Sequence, residues 1–193
     1  MIRVVLTGGP GAGKSSVSRR LAESSAGRIA FIPEAASTVY EQFATRWDLL
    51  DPSQRRDMQR RIYRLQLDRE AAPLPEGKSP TILLHDRGTV DGAAYWPDGP
   101  DDYWKDLATT YQAELDRYDA VLWLETAAIL GIYEGGVTNP VRFETASQAV
   151  HIGHLVGQLW SVHPHFFRVS AYPTLDQKIE EVQTILATLN KKK

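Results

Sequence analysis

Eight consecutive residues near the start of the chain constrain its fold more than any other feature of the sequence. The segment Gly8-Gly9-Pro10-Gly11-Ala12-Gly13-Lys14-Ser15 follows a short apolar run and precedes a stretch with helical character. The pattern G-x-x-x-x-G-K-[ST] in this setting is typical of a loop that wraps a phosphate group. Its glycines allow successive backbone N–H groups to face one anion, and the helix that follows adds a partial positive charge.

The two residues that close this loop have separate predicted roles. We expect Lys14 to contact the β- and γ-phosphates of a nucleotide, and the hydroxyl of Ser15 to ligate Mg²⁺. The alternative is a glycine-rich turn that only joins a strand to a helix. The predicted nucleotide-binding residues are Gly8, Gly9, Pro10, Gly11, Ala12, Gly13, Lys14, Ser15 and Ser16.

The rest of the chain alternates short apolar runs with longer segments of helical character. Five runs read as buried parallel strands, over residues 2–6, 29–32, 81–84, 120–124 and 166–169. Five segments read as helices, over residues 14–25, 54–71, 101–117, 140–161 and 175–190, with Asn139 as N-cap of the fourth and Pro140 in its first turn. The alternation predicts a single three-layer α/β domain over residues 1–193, built on a five-stranded parallel sheet.

Composition excludes several other classes of protein. The 193 residues include 22 Lys+Arg and 24 Asp+Glu, a balance that argues against a strongly electrostatic nucleic-acid binder. The absence of cysteine excludes disulfides and thiolate metal sites. No apolar run approaches the length of a membrane span, and the N-terminal apolar stretch is too short for a signal peptide. We therefore expect a cytoplasmic protein with no membrane partner.

Acidic residues follow the second and third predicted strands. In an open parallel sheet, ligands bind beyond the carboxyl ends of the strands, where Glu34 and Asp86-Arg87 fall. Asp86 has the setting of a carboxylate that orients Mg²⁺, and Arg87 could contact phosphate oxygens. The alternatives are a helix N-terminal acid for Glu34 and a surface salt bridge for Asp86-Arg87. Asp91 and Tyr95 fit either substrate contact or loop packing.

Four segments together resemble a known family of proteins. The chain is similar over nearly its whole length to small AAA-like predicted ATPases and kinases, a group similar to the ribosylnicotinamide kinase domain of bacterial NAD-biosynthesis proteins. It resembles deoxynucleoside and thymidylate kinases more distantly, and the nucleoside-kinase-like fold that this resemblance implies has its five strands in the order 2-3-1-4-5. The segments that carry the resemblance are residues 8–15, Pro33-Glu34-Ala35-Ala36, Asp86-Arg87-Gly88-Thr89-Val90-Asp91-Gly92 and Asn139-Pro140-Val141-Arg142.

The resemblance implies roles for particular residues. In deoxynucleoside kinases, an acid after the second strand takes the proton of the attacking hydroxyl, and Glu34 occupies the matching place. An acid-Arg pair after the third strand contacts sugar and phosphates there, and Asp86-Arg87 matches it with Asp for the usual Glu. Two features depart from that pattern: Pro33 precedes the acid, and no aromatic-Gln pattern identifies a base. The acceptor, and the choice between Glu34 and Asp86 as base, therefore stay open.

The glycine-containing segment over residues 131–139 is predicted to be a mobile loop, and a lid is placed at about residues 131–141. In related kinases a lid arginine closes on the transferring phosphoryl group, and Arg142 is the candidate here. The alternative is a helix N-terminal residue that faces water. The predicted catalytic residues are then Lys14, Glu34, Asp86, Arg87 and Arg142.

Two further clusters have plain explanations that we favour. Seven of the fifteen arginines lie within residues 46–69, and a solvated face balanced by Asp57, Asp68 and Glu70 explains them better than a phosphorylated or nucleic-acid acceptor does. Four of the five histidines are clustered, but without cysteine or a suitably spaced carboxylate they do not predict zinc: His151, His154, His163 and His165.

Taken together, these patterns predict ATP- and Mg²⁺-dependent phosphoryl transfer to a hydroxyl of a nucleoside-like or other small acceptor. Two alternatives are a plain NTPase that uses water and a nucleotide-gated binding module with slow hydrolysis. ATP is preferred over GTP only because the Asn-Lys-x-Asp motif of GTPases does not occur.

Overall fold

The computed structural model describes residues 1–74, 79–132 and 144–190. Five parallel strands form one sheet in the order β2-β3-β1-β4-β5, as predicted. The strands are β1 (Ile2–Thr7), β2 (Ile29–Ile32), β3 (Ile82–Asp86), β4 (Ala120–Leu124) and β5 (Phe166–Val169). Because all five run in one direction, their carboxyl ends meet at a single edge of the sheet.

Helices cover both faces of this sheet. They are α1 (Lys14–Ser24), α2 (Ala35–Gln42), α3 (Pro52–Ala71), α4 (Pro100–Asp106), α5 (Tyr111–Leu115), α6 (Ala146–Trp160) and α7 (Leu175–Asn190). Three 3-10 turns lie at Trp47–Leu49, Thr89–Tyr95 and Ala127–Leu130. Within the described ranges, no helix is both long enough and apolar enough to span a membrane.

Alternation along the central strand divides the core into two halves. Val4 and Leu6 of β1 face α1 and α7, whereas Val5 faces α6 and the 3-10 turn after β3. Trp160 at the end of α6 is completely buried in the second half. Successive side chains of a strand point to opposite faces, so one apolar run supplies both halves of a three-layer structure.

The observed helices differ from the predicted ones chiefly in three places. The helix predicted over residues 101–117 is two helices, because Thr110 accepts a hydrogen bond from Ala113 N and caps a new helix. Helix α6 begins at Ala146, capped by Thr145 and Gln148, rather than at residue 140. Asn139 and Pro140 lie outside the described residues. Helix α2 was not predicted.

Candidate active site

The loop between β1 and α1 has a backbone that requires glycine at its two ends. Gly8 has φ of 134°, and a Cβ atom there would lie 2.2 Å from the carbonyl oxygen of Leu124 in β4. Gly13 has φ of 82° and is the N-cap of α1. These glycines therefore let the chain pass closely over β4 and turn sharply into the helix.

Lys14 and Ser15 lie in the first turn of α1. The Lys14 ammonium is buried and donates to the carbonyl oxygens of Gly8 and Gly9, at 3.0 and 2.9 Å. The Ser15 hydroxyl donates to Oδ2 of Asp86, at 2.5 Å. The hydroxyl and the carboxylate that the sequence proposes for Mg²⁺ are thus in direct contact.

The second oxygen of Asp86 bears on whether this position suits a cation. Its Oδ1 atom is buried and has no hydrogen-bond partner among the described residues. Burial is the main reason that the pKa of Asp86 is raised, and the charge of Glu34 raises it further, against Lys14 and Ser15. A divalent cation could bind the Oδ1 oxygen and would favour the charged form of this desolvated carboxylate.

The composition of the site fits magnesium rather than a metal held by protein alone. Within residues 1–74, 79–132 and 144–190, no group of three or more His, Cys, Asp or Glu side chains could hold a metal ion. Magnesium is typically bound by one or two protein ligands together with substrate phosphates and water. Ser15 and Asp86 could therefore hold it only when a nucleotide supplies the remaining oxygens.

Glu34 and Arg87 form a buried ion pair beside Asp86. Arg87 Nε donates to Glu34 Oε1 at 2.6 Å, and the other Glu34 oxygen accepts from the hydroxyl of Ser37 at 2.7 Å. Arg87 has φ of 72°, so the backbone turns sharply directly after β3 and brings the guanidinium back toward Glu34. The Glu34 carboxylate is therefore fixed in orientation from two sides.

Asp91 holds the other end of the Arg87 guanidinium. Its Oδ2 accepts from Arg87 Nη1 at 2.8 Å, and its oxygens also accept from the hydroxyl of Thr7 and the indole N–H of Trp160. Asp91 is 3% exposed. The carboxylate that the sequence left open between substrate contact and packing thus uses both oxygens inside the protein.

Helix α3 contacts the same two loops through Arg69 and Gln66. Arg69 donates to the carbonyl oxygens of Pro33 and Glu34 and to the hydroxyl of Thr38. Gln66 lies within 3.4 Å of the carbonyl oxygen of Arg87. The two loops that carry Glu34 and Arg87 are therefore tied to one helix.

Two of the five other arginines of α3 pair with acidic residues of α4 and of the turn just before it. Arg60 forms a bidentate pair with Asp106 at 2.7 Å, and Arg56 pairs with Asp98 and Asp102. Asp57 also pairs with Arg60, but Asp98, Asp102 and Asp106 were not foreseen as partners. Arg56 and Arg60 are thus paired with carboxylates of a neighbouring segment and not only with the acid of their own helix.

An aromatic cleft opens next to Glu34, between α2, α3 and the 3-10 turn after β3. The sequence did not predict this cleft, because its lining comes from distant segments. One signal was present in the sequence: Gln59 and Gln66 are seven residues apart, which places them on one face of a helix, and the structure shows both side chains to be buried. Besides Glu34 and Arg87, the lining includes Tyr40, Trp47, Gln59, Tyr63, Tyr95 and Tyr103.

Two of the clustered histidines, for which the sequence predicts no zinc site, have main-chain partners. His163 and His165 contact the main-chain carbonyl oxygens of Tyr118 and Asp119 through their rings. Arg142 and residues 133–141 of the predicted lid lie outside the described residues.

Comparison with solved structures identifies the fold. Deoxyadenosine kinase from M. mycoides, solved with dCMP and dCDP, superposes with a TM-score of 0.67 at 16% identity, covering 97% of this chain and 100% of that chain. The NadR protein in complex with NR superposes with a TM-score of 0.67 at 19% identity, covering 96% of this chain and 49% of NadR. This chain therefore spans about half the length of NadR. The likeness establishes a P-loop kinase fold.

The sequence also matches a family model. No curated protein matches the chain. The family model of an AAA domain, however, matches residues 3–174, which include the phosphate-binding loop and all but the first residue of the five strands. This match and the kinase fold confirm the predicted resemblance, and because the matched region covers most of the chain, the protein belongs to this AAA-domain family.

Proposed function

We propose that the protein is an ATP- and Mg²⁺-dependent phosphotransferase that acts on a hydroxyl of a nucleoside-like or other small acceptor. The observation that best supports this proposal is the position of Glu34. Its carboxylate lines the aromatic cleft on one side and lies close enough to Asp86 to raise the pKa of that residue on the other. A carboxylate at this boundary can reach both an acceptor in the cleft and a phosphoryl group at the loop.

The residues divide the chemistry between them. The acceptor oxygen forms a bond to the γ-phosphorus, the bond from that phosphorus to the β–γ bridging oxygen breaks, and the hydroxyl proton passes to Glu34. Lys14 and the backbone N–H groups of the loop hold the phosphates. Ser15 and Asp86 would hold Mg²⁺, which would neutralise the negative charge of the phosphates. Arg87 orients Glu34 and adds positive charge near the transferring group.

A screen for transfer tests this function directly. The full chain is incubated with γ-labelled ATP, Mg²⁺ and a library of hydroxyl-bearing metabolites that includes nucleosides, and the labelled products are separated. We expect transfer to one chemical class of acceptor at a rate above background hydrolysis. Acceptor-independent release of phosphate would indicate a plain NTPase, and ATP-dependent retention of a protein without turnover would indicate a binding module.

Replacement of the loop lysine should weaken nucleotide binding. Lys14→Ala removes a charged donor from the phosphates, and hydrogen bonds to charged groups contribute about 1.5–3 kcal/mol, so the affinity for ATP should fall by roughly 10- to 150-fold. Calorimetry with ATP–Mg²⁺ measures this affinity, and a thermal melt shows that the variant is folded. Unchanged affinity in a folded Lys14→Ala protein would contradict the phosphate-binding role of the loop.

Replacement of the proposed metal-orienting carboxylate should change the metal requirement. Asp86→Asn keeps the shape of the side chain but removes its charge, so half-maximal turnover should require roughly tenfold more Mg²⁺, about the loss of one charged contact. A magnesium titration at saturating ATP measures this shift. The exposed Asp101→Asn in α4 is the matched control. A wild-type Mg²⁺ dependence with lost turnover would instead assign the role of base to Asp86.

A further inference from the structure

We propose that Lys178, in the first turns of α7, is a positioning residue for the phosphate-binding loop. It fixes the orientation of a loop peptide group so that the N–H on its far side faces the bound phosphates. This inference rests on the nucleotide-binding role proposed above and extends it to a residue that no loop motif contains.

Lys178 binds two main-chain carbonyl groups, one in the phosphate-binding loop and one directly after β4. Its ammonium donates to the carbonyl oxygen of Ala12 at 3.0 Å and to that of Glu125 at 2.8 Å. Ala12 is in the loop, and Glu125 directly follows β4. Lys178 is only 4% exposed, so its ammonium lies beneath the loop rather than in solvent. The lysine therefore ties the loop to the end of the neighbouring strand.

The planarity of the peptide bond turns this contact into an orientation. In a trans peptide, the C=O of one residue and the N–H of the next point in opposite directions. Because the Ala12 carbonyl points toward Lys178, the N–H of Gly13 points away from it, toward the inside of the loop. In a loop of this kind, inward N–H groups are the donors that cradle phosphates.

Neighbouring peptides of the loop are held in the same way. The Thr126 hydroxyl donates to the carbonyl oxygen of Pro10 at 2.6 Å, and Ala127 N lies 3.5 Å from that of Gly11. By the same geometry, the Thr126 contact directs the N–H of Gly11 inward. Lys178 also holds the carbonyl of Glu125, which precedes Thr126 in the chain. One group of donors, here called the brace, therefore lies on the outer side of the loop and consists of Lys178, Thr126 and Ala127.

The burial of Lys178 has a cost that supports a specific role. Burial lowers the pKa of Lys178 to about 8, against the opposing charges of Glu125 and Glu181. The carboxylates of these two residues also accept from elsewhere, Glu125 from Arg168 and Glu181 from Ser170 N. An apolar side chain would fill the same volume without the desolvation cost, but it could not donate to the loop.

Inorganic tripolyphosphate with Mg²⁺ isolates the contribution of the loop, because this probe has no base or sugar. Calorimetry on the full chain would compare wild type with Lys178→Met, which keeps the length but removes the charge and the donors. We expect the affinity for tripolyphosphate to fall by roughly tenfold, the effect of losing one charged hydrogen bond. Lys178→Arg should retain more affinity than Lys178→Met, and Lys105→Met, an exposed site on α4, should bind as wild type does.

Each outcome decides the proposal. A folded Lys178→Met protein that binds tripolyphosphate as tightly as wild type would overturn it, and an equal loss in Lys178→Arg and Lys178→Met would assign the effect to packing. Should Lys178→Met not fold, Thr126→Val, which removes a single hydroxyl of the brace, decides the matter by weakened or unchanged binding. If wild type itself does not bind tripolyphosphate, the proposed nucleotide-binding function fails first, and this proposal fails with it.

Discussion

Turnover of the Glu34→Gln protein should be roughly 10²- to 10⁴-fold lower than that of wild type, with little change in ATP affinity, which is the usual effect of losing a general base. Glutamine keeps the size of the side chain and can still contact Arg87 and Ser37, but it cannot accept the proton of an acceptor hydroxyl. The rate is measured under saturating ATP and acceptor, and nucleotide affinity by calorimetry.

One matched control and one feature of the site help to interpret this experiment. Glu41→Gln, on the exposed side of α2, tests whether any loss of charge on that helix slows the reaction. Arg87 loses its charged partner in Glu34→Gln, but Asp91 still holds the guanidinium. A Glu34→Gln protein with wild-type turnover, together with an inactive Asp86→Asn protein, would show that the two acids have exchanged the roles proposed here.

The features predicted correctly from sequence were those set by local chemistry. The loop over residues 8–15 requires glycines at particular backbone angles, and those requirements are visible as letters in the chain. The five strands were equally accessible, because strands buried on both faces need nearly continuous apolar runs. The order 2-3-1-4-5 followed from the resemblance to a known class of kinases rather than from the pattern of residues.

The features missed were those created by tertiary contact. Tyr40, Gln59 and Tyr95 lie in three separate segments, and only the packing of α2, α3 and the turn after β3 brings them to one cleft. Lys178 is 164 positions after Lys14, and no motif links it to the loop. Such residues cannot be found from spacing, because their function depends on which elements become neighbours.

The predicted helix boundaries were wrong for a different reason. A continuous helix over residues 101–117 was predicted from the length and general helical character of the segment, yet Ala108 has φ of 53° and Thr110 caps a second helix. The threonine hydroxyl can accept a hydrogen bond from a nearby backbone N–H group, and threonine therefore favours the start of a helix over the interior of one. The break leaves α4 free to present Asp102 and Asp106 to the arginines of α3, where the balance of charges along the sequence had suggested a solvated face.

The largest effect on stability should come from Glu70, a buried carboxylate at the end of α3. Its side chain is 1% exposed and pairs with Arg3 at 2.7 Å and Arg117 at 2.6 Å, while Tyr118 and Gln66 donate to its other oxygen. These contacts tie α3 to β1 and to the loop before β4. Removal of one member of such a cluster is strongly destabilising, because charged partners are left without compensation.

Glu70→Gln should therefore lower the free energy of unfolding at pH 7 by about 3 kcal/mol, and the difference should depend on pH. Burial alone raises the pKa of the Glu70 carboxyl, but the neighbouring His85, Gln66 and Tyr118 groups outweigh burial and lower it from 4.5 to about 2. A lowered carboxyl pKa stabilises the folded state fully above the unfolded value of about 4.5, and this contribution is lost as the pH falls toward 2.

Denaturant unfolding of wild type and Glu70→Gln at several pH values measures this contribution, with the exposed Glu23→Gln in α1 as the matched control. The gap between wild type and Glu70→Gln should be widest at neutral pH and should narrow steadily below about pH 5, whereas Glu23→Gln should follow wild type throughout. A gap that stays constant from pH 7 to pH 3 would mean that glutamine disturbs packing rather than charge. A gap near zero at neutral pH would mean that the two arginines find adequate solvation without Glu70.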